Sequence, residues 1–439
     1  MCTPPRPNWP WRLIRLCLCH VVRIPRSAPG PSTAGVSWQR LIPPLVRSTS
    51  RIRPETTQSR HNCPIMKGMS HLNVVADARS MRALLLVLPA SMATVMALGA
   101  GGPTSDWDAA TTGGHYLLSG HLSVYADKPH VQMGPLALLL AGVLPGPFYV
   151  AAVCALLPLV LWMVTLPYPP TRGTYLRVLV GGMLLAWPWA AFAVQGHADD
   201  ALVVVGVLAM VSALNLHREA WVVAGFLVAI AAKPTAILFL PLAFMHSRRA
   251  GILATVGGGL LWAPFILANV PGFLAAGTGQ GELWPYSVPA FLGSVPHTGI
   301  PAWVRPAQLV GGVALCWFLA RRNGPAAAAA GVFAFRVLLE SGTWNYYSTA
   351  VIAAAIMLDL HRGWRVPWVT LAAFVSFVSA FGVPLTMGQG VVRILALTGV
   401  LAMAFTGGNA RQSRPSEGQM ETSASDGRAP AVEQEERDE

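Results

Sequence analysis

Two carboxylates stand where the first long apolar stretch gives way to a polar loop. Asp106 and Asp108 open this loop, which runs from about residue 101 to Met133 and is rich in Gly, His and Tyr. A carboxylate at a membrane boundary can act as general base on a hydroxyl when partial burial raises its pKa toward neutrality. One of the two could instead cap a helix beginning near Ala109, a role that suits Asp108 better because small residues and glycines follow it. Asp106 is therefore the predicted base, with Asp108 as its rival.

A second polar group lies in the short stretch 195–200, between two apolar runs. It contains His197, Asp199 and Asp200. Polar side chains at a membrane boundary need partners, so these three are predicted to bind substrate. The alternative is that Asp199 or Asp200 caps the following helix, although adjacent side chains point in different directions and cannot both do so.

Two cationic positions lie within apolar surroundings. Lys233 is followed by Pro234 between two apolar runs. A lysine at this depth either extends to the interface or binds an anion. Arg336 and Glu340 are spaced by one helical turn. They either form a structural ion pair or leave the arginine to bind a phosphate.

Aromatic and histidine residues supply the remaining candidates. Tyr346 and Tyr347 end a Trp-Asn-Tyr-Tyr sequence, which is either an aromatic belt at the interface or a stacking surface for a sugar ring or an isoprenoid. The loop 271–304 is long and contains several prolines, which is typical of functional loops. Its histidine, His297, is either simply solvated or a second base.

The composition indicates what must position these residues. Of 439 residues, 54% are hydrophobic and only 11% are charged, whereas a soluble domain carries roughly a quarter charged residues. The sequence predicts an all-α, polytopic membrane bundle of about 12 spans, with a short re-entrant or interfacial piece at 134–146. The predicted spans are 83–100, 148–168, 178–195, 199–215, 220–232, 234–245, 251–270, 305–320, 326–340, 346–360, 367–386 and 391–407.

Charge divides the chain into three parts. Residues 1–82 hold 13 Lys and Arg against two acids, which is nearly all of the net charge of +12. Residues 1–80 are predicted to be a disordered, basic, cytoplasmic leader or an over-extended translation start. The sequence does not favour nucleic-acid binding, because no folded basic module accompanies the charge. The membrane domain is predicted at 81–407, and 408–439 as a disordered, acidic, cytoplasmic tail. The six cysteines show no spacing typical of zinc sites or disulfides.

The distribution of Lys and Arg sets the expected orientation. It requires the segment 219–247 to cross twice, as two short half-spans with Lys233-Pro234 at their tip. The alternative is one long helix, which would place Arg248-Arg249 and Arg321-Arg322 on the outer side of the membrane. With the half-spans, the polar segments 101–133, 195–200, 271–304 and 341–346 all lie on the outer side.

In this order, the segments resemble the GT-C superfamily of polytopic glycosyltransferases that use polyprenyl-phosphate sugars. They are most similar to the actinobacterial mannosyltransferase-like proteins of glycosyltransferase family 87. The likeness covers about residues 81–365. Its motifs are Ser105-Asp106-Trp107, Gly120 to Tyr125, Val131 to Leu136, Gly196 to Asp200, Lys233-Pro234 with Pro241-Leu242, Arg336 ahead of Tyr346-Tyr347, and Asp359-Leu360.

The resemblance implies a catalytic aspartate in the first extracytoplasmic loop, which corresponds to Asp106. It also implies an inverting transfer of mannose to a lipid or glycan acceptor at the cell membrane, with no cofactor. The leaving phosphate would be stabilised by Arg336 and Lys233. One competing interpretation is a transporter or lipid flippase, which would also bury such charges but usually shows internal repeats. Another is a catalytically inactive scaffold.

Overall fold

The protein is all-helical throughout the residues that the structure describes. A computed structural model describes the backbone of residues 64–100, 105–129, 131–279, 283–297, 299–381 and 385–406, and all side chains there except those of 64–79, 105 and 276–279. The chain divides into units 1–77 and 78–439. The first unit contributes only the beginning of one helix to the described residues, and the predicted tail at 408–439 lies outside them. That helix begins at Pro64, ahead of the predicted leader boundary at residue 80.

The order of elements follows the apolar runs, separated by proline, glycine and polar residues. The helices are α1 Pro64–Gly99, α2 Ser105–Leu118, α3 Val124–Asp127, α4 Pro135–Val143, α5 Gly146–Thr165, α6 Arg172–Gln195, α7 Ala198–Asn215, α8 Glu219–Ala232, α9 Leu240–His246, α10 Arg248–Ala268, α11 Val270–Gly279, α12 Val288–Phe291, α13 Val304–Asn323, α14 Pro325–Leu338, α15 Ser348–Arg362, α16 Trp368–Val378 and α17 Met387–Phe405. Two 3₁₀ helices, Pro234–Phe239 and Asn345–Tyr347, precede α9 and α15.

Among the described residues, six helices are long and apolar enough to cross a membrane, judged by length and composition. They are the part of α1 from Ser80, together with α5, α6, α7, α10 and α17. Four further apolar segments are shorter, at 10–17 residues. The predicted piece at 134–146 is the nine-residue α4, too short to span a bilayer.

The segment 219–247 folds back on itself at Lys233. Because Pro234 disfavours a helical conformation in the residue before it, Lys233 is extended (φ −157°, ψ 130°) and ends α8. The two ends of the segment then meet, since the Ser247 hydroxyl donates a hydrogen bond to the Glu219 carboxylate at 3.2 Å. The predicted reversal at Lys233-Pro234 is thus confirmed, and the alternative of one long helix is excluded. That the two halves are membrane half-spans stays a prediction.

Glycines allow the helices around this hairpin to pack closely. A methyl group added at Gly206 in α7 would lie 2.4 Å from the carbonyl oxygen of Gly225 in α8. One added at Gly114 in α2 would lie 2.6 Å from the backbone nitrogen of Gly142 in α4. Small residues at such contacts let helix backbones approach, as is common in membrane bundles.

Hydrogen bonds gather three helix C-termini at one end of the bundle. Asn323 donates to the carbonyl of Ala404, and Arg362 donates to the Thr406 hydroxyl at 2.7 Å. These residues end α13, α15 and α17. The beginnings of α15 and α17 and the end of α14 therefore lie at the opposite end, which we call the site end.

One residue of the proposed family motifs has a structural role at the start of α16. Asp359 is buried and accepts hydrogen bonds from the backbone nitrogens of Val369 and Thr370, and from the Thr370 hydroxyl at 2.7 Å. These bonds satisfy N–H groups that have no partner within the helix. Asp359 thus links α15 to α16, away from the site end.

Candidate functional site

A set of charged side chains meets at the site end, and we call it the charged cluster. Each member lies within 4 Å of another member of opposite charge. The cluster consists of Asp106, His197, Asp199, Asp200, Lys233, Arg305, Arg336 and Glu340. It joins five separate regions of the sequence, so the structure brings together most of the predicted site residues.

Asp106 is the most exposed member of the cluster. Its side chain is 54% exposed, and its Oδ2 lies 3.2 Å from Nε2 of His197. α2 begins at Ser105, so the predicted helix start near Ala109 is wrong and Asp108 does not cap this helix. Asp108 is exposed in the same first turn. Residues two apart on a helix do not share a face, so the two carboxylates do not face one pocket.

The turn that presents His197 depends on a glycine and a buried tyrosine. Gly196 has φ +83°, a left-handed conformation that glycine adopts without strain. The Tyr149 hydroxyl donates to the carbonyl of Gly196 at 2.6 Å and accepts from the N–H of Ala198 at 2.7 Å. The Tyr149 ring packs 4.1 Å from the Trp107 ring, so this tyrosine holds α2 and the turn together.

Substituting Gly196 should separate Asp106 from His197. A methyl group there would lie 2.7 Å from the backbone nitrogen of Trp107, and a side chain at φ +83° is strained. We expect Gly196→Ala to lower the stability of the purified protein by about 1–3 kcal/mol. Thermal unfolding in detergent measures this. The matched control is Gly388→Ala, where the added methyl group meets nothing within 4 Å. Equal melting temperatures for both variants would contradict the predicted close contact.

Asp199 and Asp200 are buried and bind a lysine from another helix. Lys233 Nζ lies 2.7 Å from Asp199 Oδ2 and 2.9 Å from Asp200 Oδ2. The alternative that one of these aspartates caps α7 is wrong, because both lie inside its first turn and the cap residue is His197. The positive end of the helix dipole favours carboxylates in that turn. The Lys233 side chain is mostly buried and is paired with protein carboxylates.

The predicted pairing of Arg336 with Glu340 is replaced by two other ion pairs. α14 ends at Leu338, so Glu340 is not one helical turn beyond Arg336. Glu340 instead binds Arg305 at 3.1 Å, and Arg336 Nη1 lies 3.5 Å from Asp200. The Arg336 Nε has no hydrogen-bond partner among the described residues. Gln308 connects the two pairs by accepting from Arg305 and donating to the Arg336 carbonyl.

His197 lies between the exposed and the buried parts of the cluster. Its Nδ1 is 3.6 Å from Asp199 and 3.8 Å from Asp200. Neither ring nitrogen makes a hydrogen bond of good geometry with a described residue, so these contacts are electrostatic. Burial alone would lower the pKa of His197, but Asp106, Asp199 and Asp200 outweigh it and raise this pKa to about 9. The imidazole is therefore protonated at neutral pH.

The aromatic residues of the Trp-Asn-Tyr-Tyr sequence have different environments. Tyr346 is buried and stacks on the His197 ring, with centroids 4.0 Å apart and an angle of 23° between the planes. It is therefore neither a belt residue nor an open stacking surface. Tyr347 packs edge-on against Tyr346. Trp344 is 39% exposed and lies 4.7 Å from Trp284, so these two rings form the accessible aromatic pair.

Two further predictions concern His297 and metals. His297 is exposed, with φ +63°, and its backbone N–H donates to the Leu283 carbonyl in the loop between α11 and α13. His197, Asp199 and Asp200 could together hold a metal ion, since their ligand atoms lie within 4.8 Å of one another. Lys233 already forms an ion pair with each of the two carboxylates. The prediction of a site without a metal stays a prediction.

Three residues near the site are not among those predicted from the sequence. Tyr149 and Arg305 lie within ordinary apolar or boundary runs, and only the tertiary structure shows their partners. Arg393 is buried in α17 at 4% exposure. An arginine within an otherwise apolar span is a signal that could have identified it, because such residues are costly in a bilayer and mark functional sites.

Comparison of the chain with family models, curated proteins and solved structures found no match. The family resemblance therefore depends on the motifs in the sequence alone. The geometry of the charged cluster is the independent basis for a functional interpretation.

Proposed function

We propose that the protein is a membrane glycosyltransferase of the GT-C type. In this proposal about twelve segments cross the cell membrane and both termini are cytoplasmic. The enzyme transfers a sugar, mannose by the resemblance, from a polyprenyl-phosphate donor to a lipid or glycan acceptor on the extracytoplasmic side. The observation that carries the proposal is a half-exposed Asp106 beside a buried charged cluster. This arrangement combines a base at the water boundary with cations below it.

In the proposed reaction Asp106 takes the proton of the acceptor hydroxyl. The acceptor oxygen attacks C1 of the sugar as the bond between C1 and the phosphate oxygen breaks, and the configuration at C1 inverts. The bonding electrons leave with the polyprenyl phosphate. Because the leaving group is an anion that needs no proton, it requires electrostatic stabilisation rather than a general acid. Arg336 and Lys233 are the proposed contributors.

The other cluster residues have supporting roles in this proposal. Protonated His197 orients the Asp106 carboxylate and lies against Tyr346. Asp199 and Asp200 hold Lys233 in place, and Tyr347 packs against Tyr346. The accessible pair of Trp344 and Trp284 offers a ring surface for a sugar, since aromatic faces favour such stacking. His297 lies in the neighbouring loop.

Membranes containing the protein test this proposal. They are incubated with polyprenyl-phosphate mannose carrying a labelled sugar and with a panel of lipid and glycan acceptors. We expect labelled product only with the lipid-linked donor, and none with a nucleotide-linked mannose or with membranes that lack the protein. Absence of transfer from a panel of polyprenyl-phosphate sugars, with the purified protein folded, would contradict the proposal.

A further inference from the structure

Among the described residues, the buried guanidinium of Arg393 lacks the carboxylate partner that Lys233 and Arg336 have. Arg393 is 4% exposed, and its Nε and Nη2 have no hydrogen-bond partner among the described residues. Arginine remains charged in proteins, so burial without a partner is costly. Such a group is expected where a ligand supplies the missing acceptors.

The carboxylate within electrostatic reach of Arg393, among the described residues, is already paired with another cation. Arg393 is within electrostatic reach of Glu340 and Tyr347. Glu340, however, forms its ion pair with Arg305 at 3.1 Å. Within the described part of the chain, Arg393 takes part in none of the ion pairs of the charged cluster. This distinguishes it from Arg336, whose Nη1 lies 3.5 Å from Asp200.

Counted over the described residues, the charges of the site leave one positive charge without a counterpart. The charged cluster contains four carboxylates and, with His197 protonated, four cations. These balance, so Arg393 adds a net charge of +1. A low-dielectric interior strengthens the attraction of that charge for an anion.

The geometry of the two unpartnered atoms indicates the class of anion. Nε and Nη2 form one edge of the guanidinium and donate two nearly parallel N–H groups. This edge matches two oxygens of a phosphate. Arg393 also lies at the site end, one turn after Gly390, where a methyl group would lie 2.4 Å from Cβ of the loop residue Tyr286.

We propose that Arg393 binds the phosphate group of the lipid-linked substrate through its Nε and Nη2. This inference rests on the proposed function for the identity of the lipid. It assigns Arg393 the role of selecting a phosphate-linked donor, beside the roles proposed for Arg336 and Lys233. Lysine at this position keeps the charge but cannot present two parallel donors.

Equilibrium binding to the full-length protein in nanodiscs tests this inference without requiring transfer. The probes are radiolabelled polyprenyl phosphate, the uncharged polyprenol, and inorganic phosphate. We expect Arg393→Gln to weaken polyprenyl phosphate binding by about ten- to a hundredfold, since hydrogen bonds to charged groups have this magnitude. Arg393→Lys should weaken it less, and polyprenol binding should not change. The control is Arg321→Gln, an exposed arginine at the other end of the bundle, which stacks on Trp317.

Equal affinity of the wild type and both Arg393 variants for polyprenyl phosphate would overturn the inference. Inorganic phosphate that binds Arg393 as tightly as the lipid phosphate would also overturn it, because the ligand would then be a free anion. Arg393→Gln should melt no lower than the wild type in the absence of ligand, since it removes an uncompensated charge. If Arg393→Gln loses polyprenyl phosphate binding but the wild type transfers no sugar, only the proposed function fails. If transfer occurs with an unchanged donor KM in Arg393→Gln, the inference fails alone.

Discussion

The Asp106→Asn protein should insert and fold normally and lose about 10²- to 10⁴-fold in the rate of sugar transfer. This range is the usual contribution of a positioned general base. Asparagine has the size of aspartate but cannot accept the acceptor's proton. The Asp106 side chain is 54% exposed, so its substitution leaves the packing of α2 unchanged. The measurement is the initial rate of transfer by purified protein, with melting temperature as a check of folding.

Asp108→Asn is the matched control. The same substitution two residues along changes an exposed carboxylate in the same helical turn, on a face that does not meet His197. We expect nearly wild-type rates from it. A fully active Asp106→Asn protein would reject the assignment of the base. The opposite ranking of the two variants would transfer that role to Asp108.

Lys233→Met should destabilise the protein by about 3–5 kcal/mol, the usual cost of removing one partner of a buried ion pair. Lys233 Nζ binds Asp199 and Asp200 at 2.7 and 2.9 Å, and both carboxylate side chains are at most 5% exposed. Without the lysine, Asp200 would keep two close cations, Arg336 at 3.5 Å and His197 at 3.8 Å. The measurement is the midpoint of thermal unfolding in detergent, together with the monodisperse fraction on gel filtration.

Lys128→Met provides the comparison for this variant. Lys128 lies near the ring of Tyr116 in the loop after α2, outside the charged cluster, and its removal should be nearly neutral. The double variant Lys233→Met with Asp199→Asn should recover part of the lost stability, because it removes the carboxylate that lies 2.7 Å from Lys233 and restores the charge balance of the cluster. A Lys233→Met protein as stable as the wild type would show that the buried ion pairs are absent in solution.

Local chemistry made some features predictable from the sequence. The proline after Lys233 disfavours a helical conformation there, and the distribution of Lys and Arg requires the segment 219–247 to turn back, so the sequence predicts the reversal. The grouping of Asp106, His197 and Arg336 at one end follows from the order of the apolar runs, with each end assigned to a side by its Lys and Arg content. Both predictions depend on short-range rules that tertiary contacts rarely override.

Other features depend on contacts between distant residues. Asp199 and Asp200 have the position of helix caps, but their partner is Lys233, more than 30 residues away. Arg336 and Glu340 have helical spacing, but α14 ends between them, so each pairs with a residue from another segment. No spacing rule shows where a helix ends or which cation reaches a buried carboxylate.

The most direct test of the central claim is the fate of the bond between the sugar and the phosphate. Purified protein in proteoliposomes receives a polyprenyl-phosphate mannose labelled separately in the sugar and in the lipid, together with an active acceptor. We expect equimolar glycosylated acceptor and free polyprenyl phosphate from the wild type, and neither from Asp106→Asn. Movement of intact donor between leaflets without cleavage would instead indicate a flippase and would contradict the assignment as a glycosyltransferase.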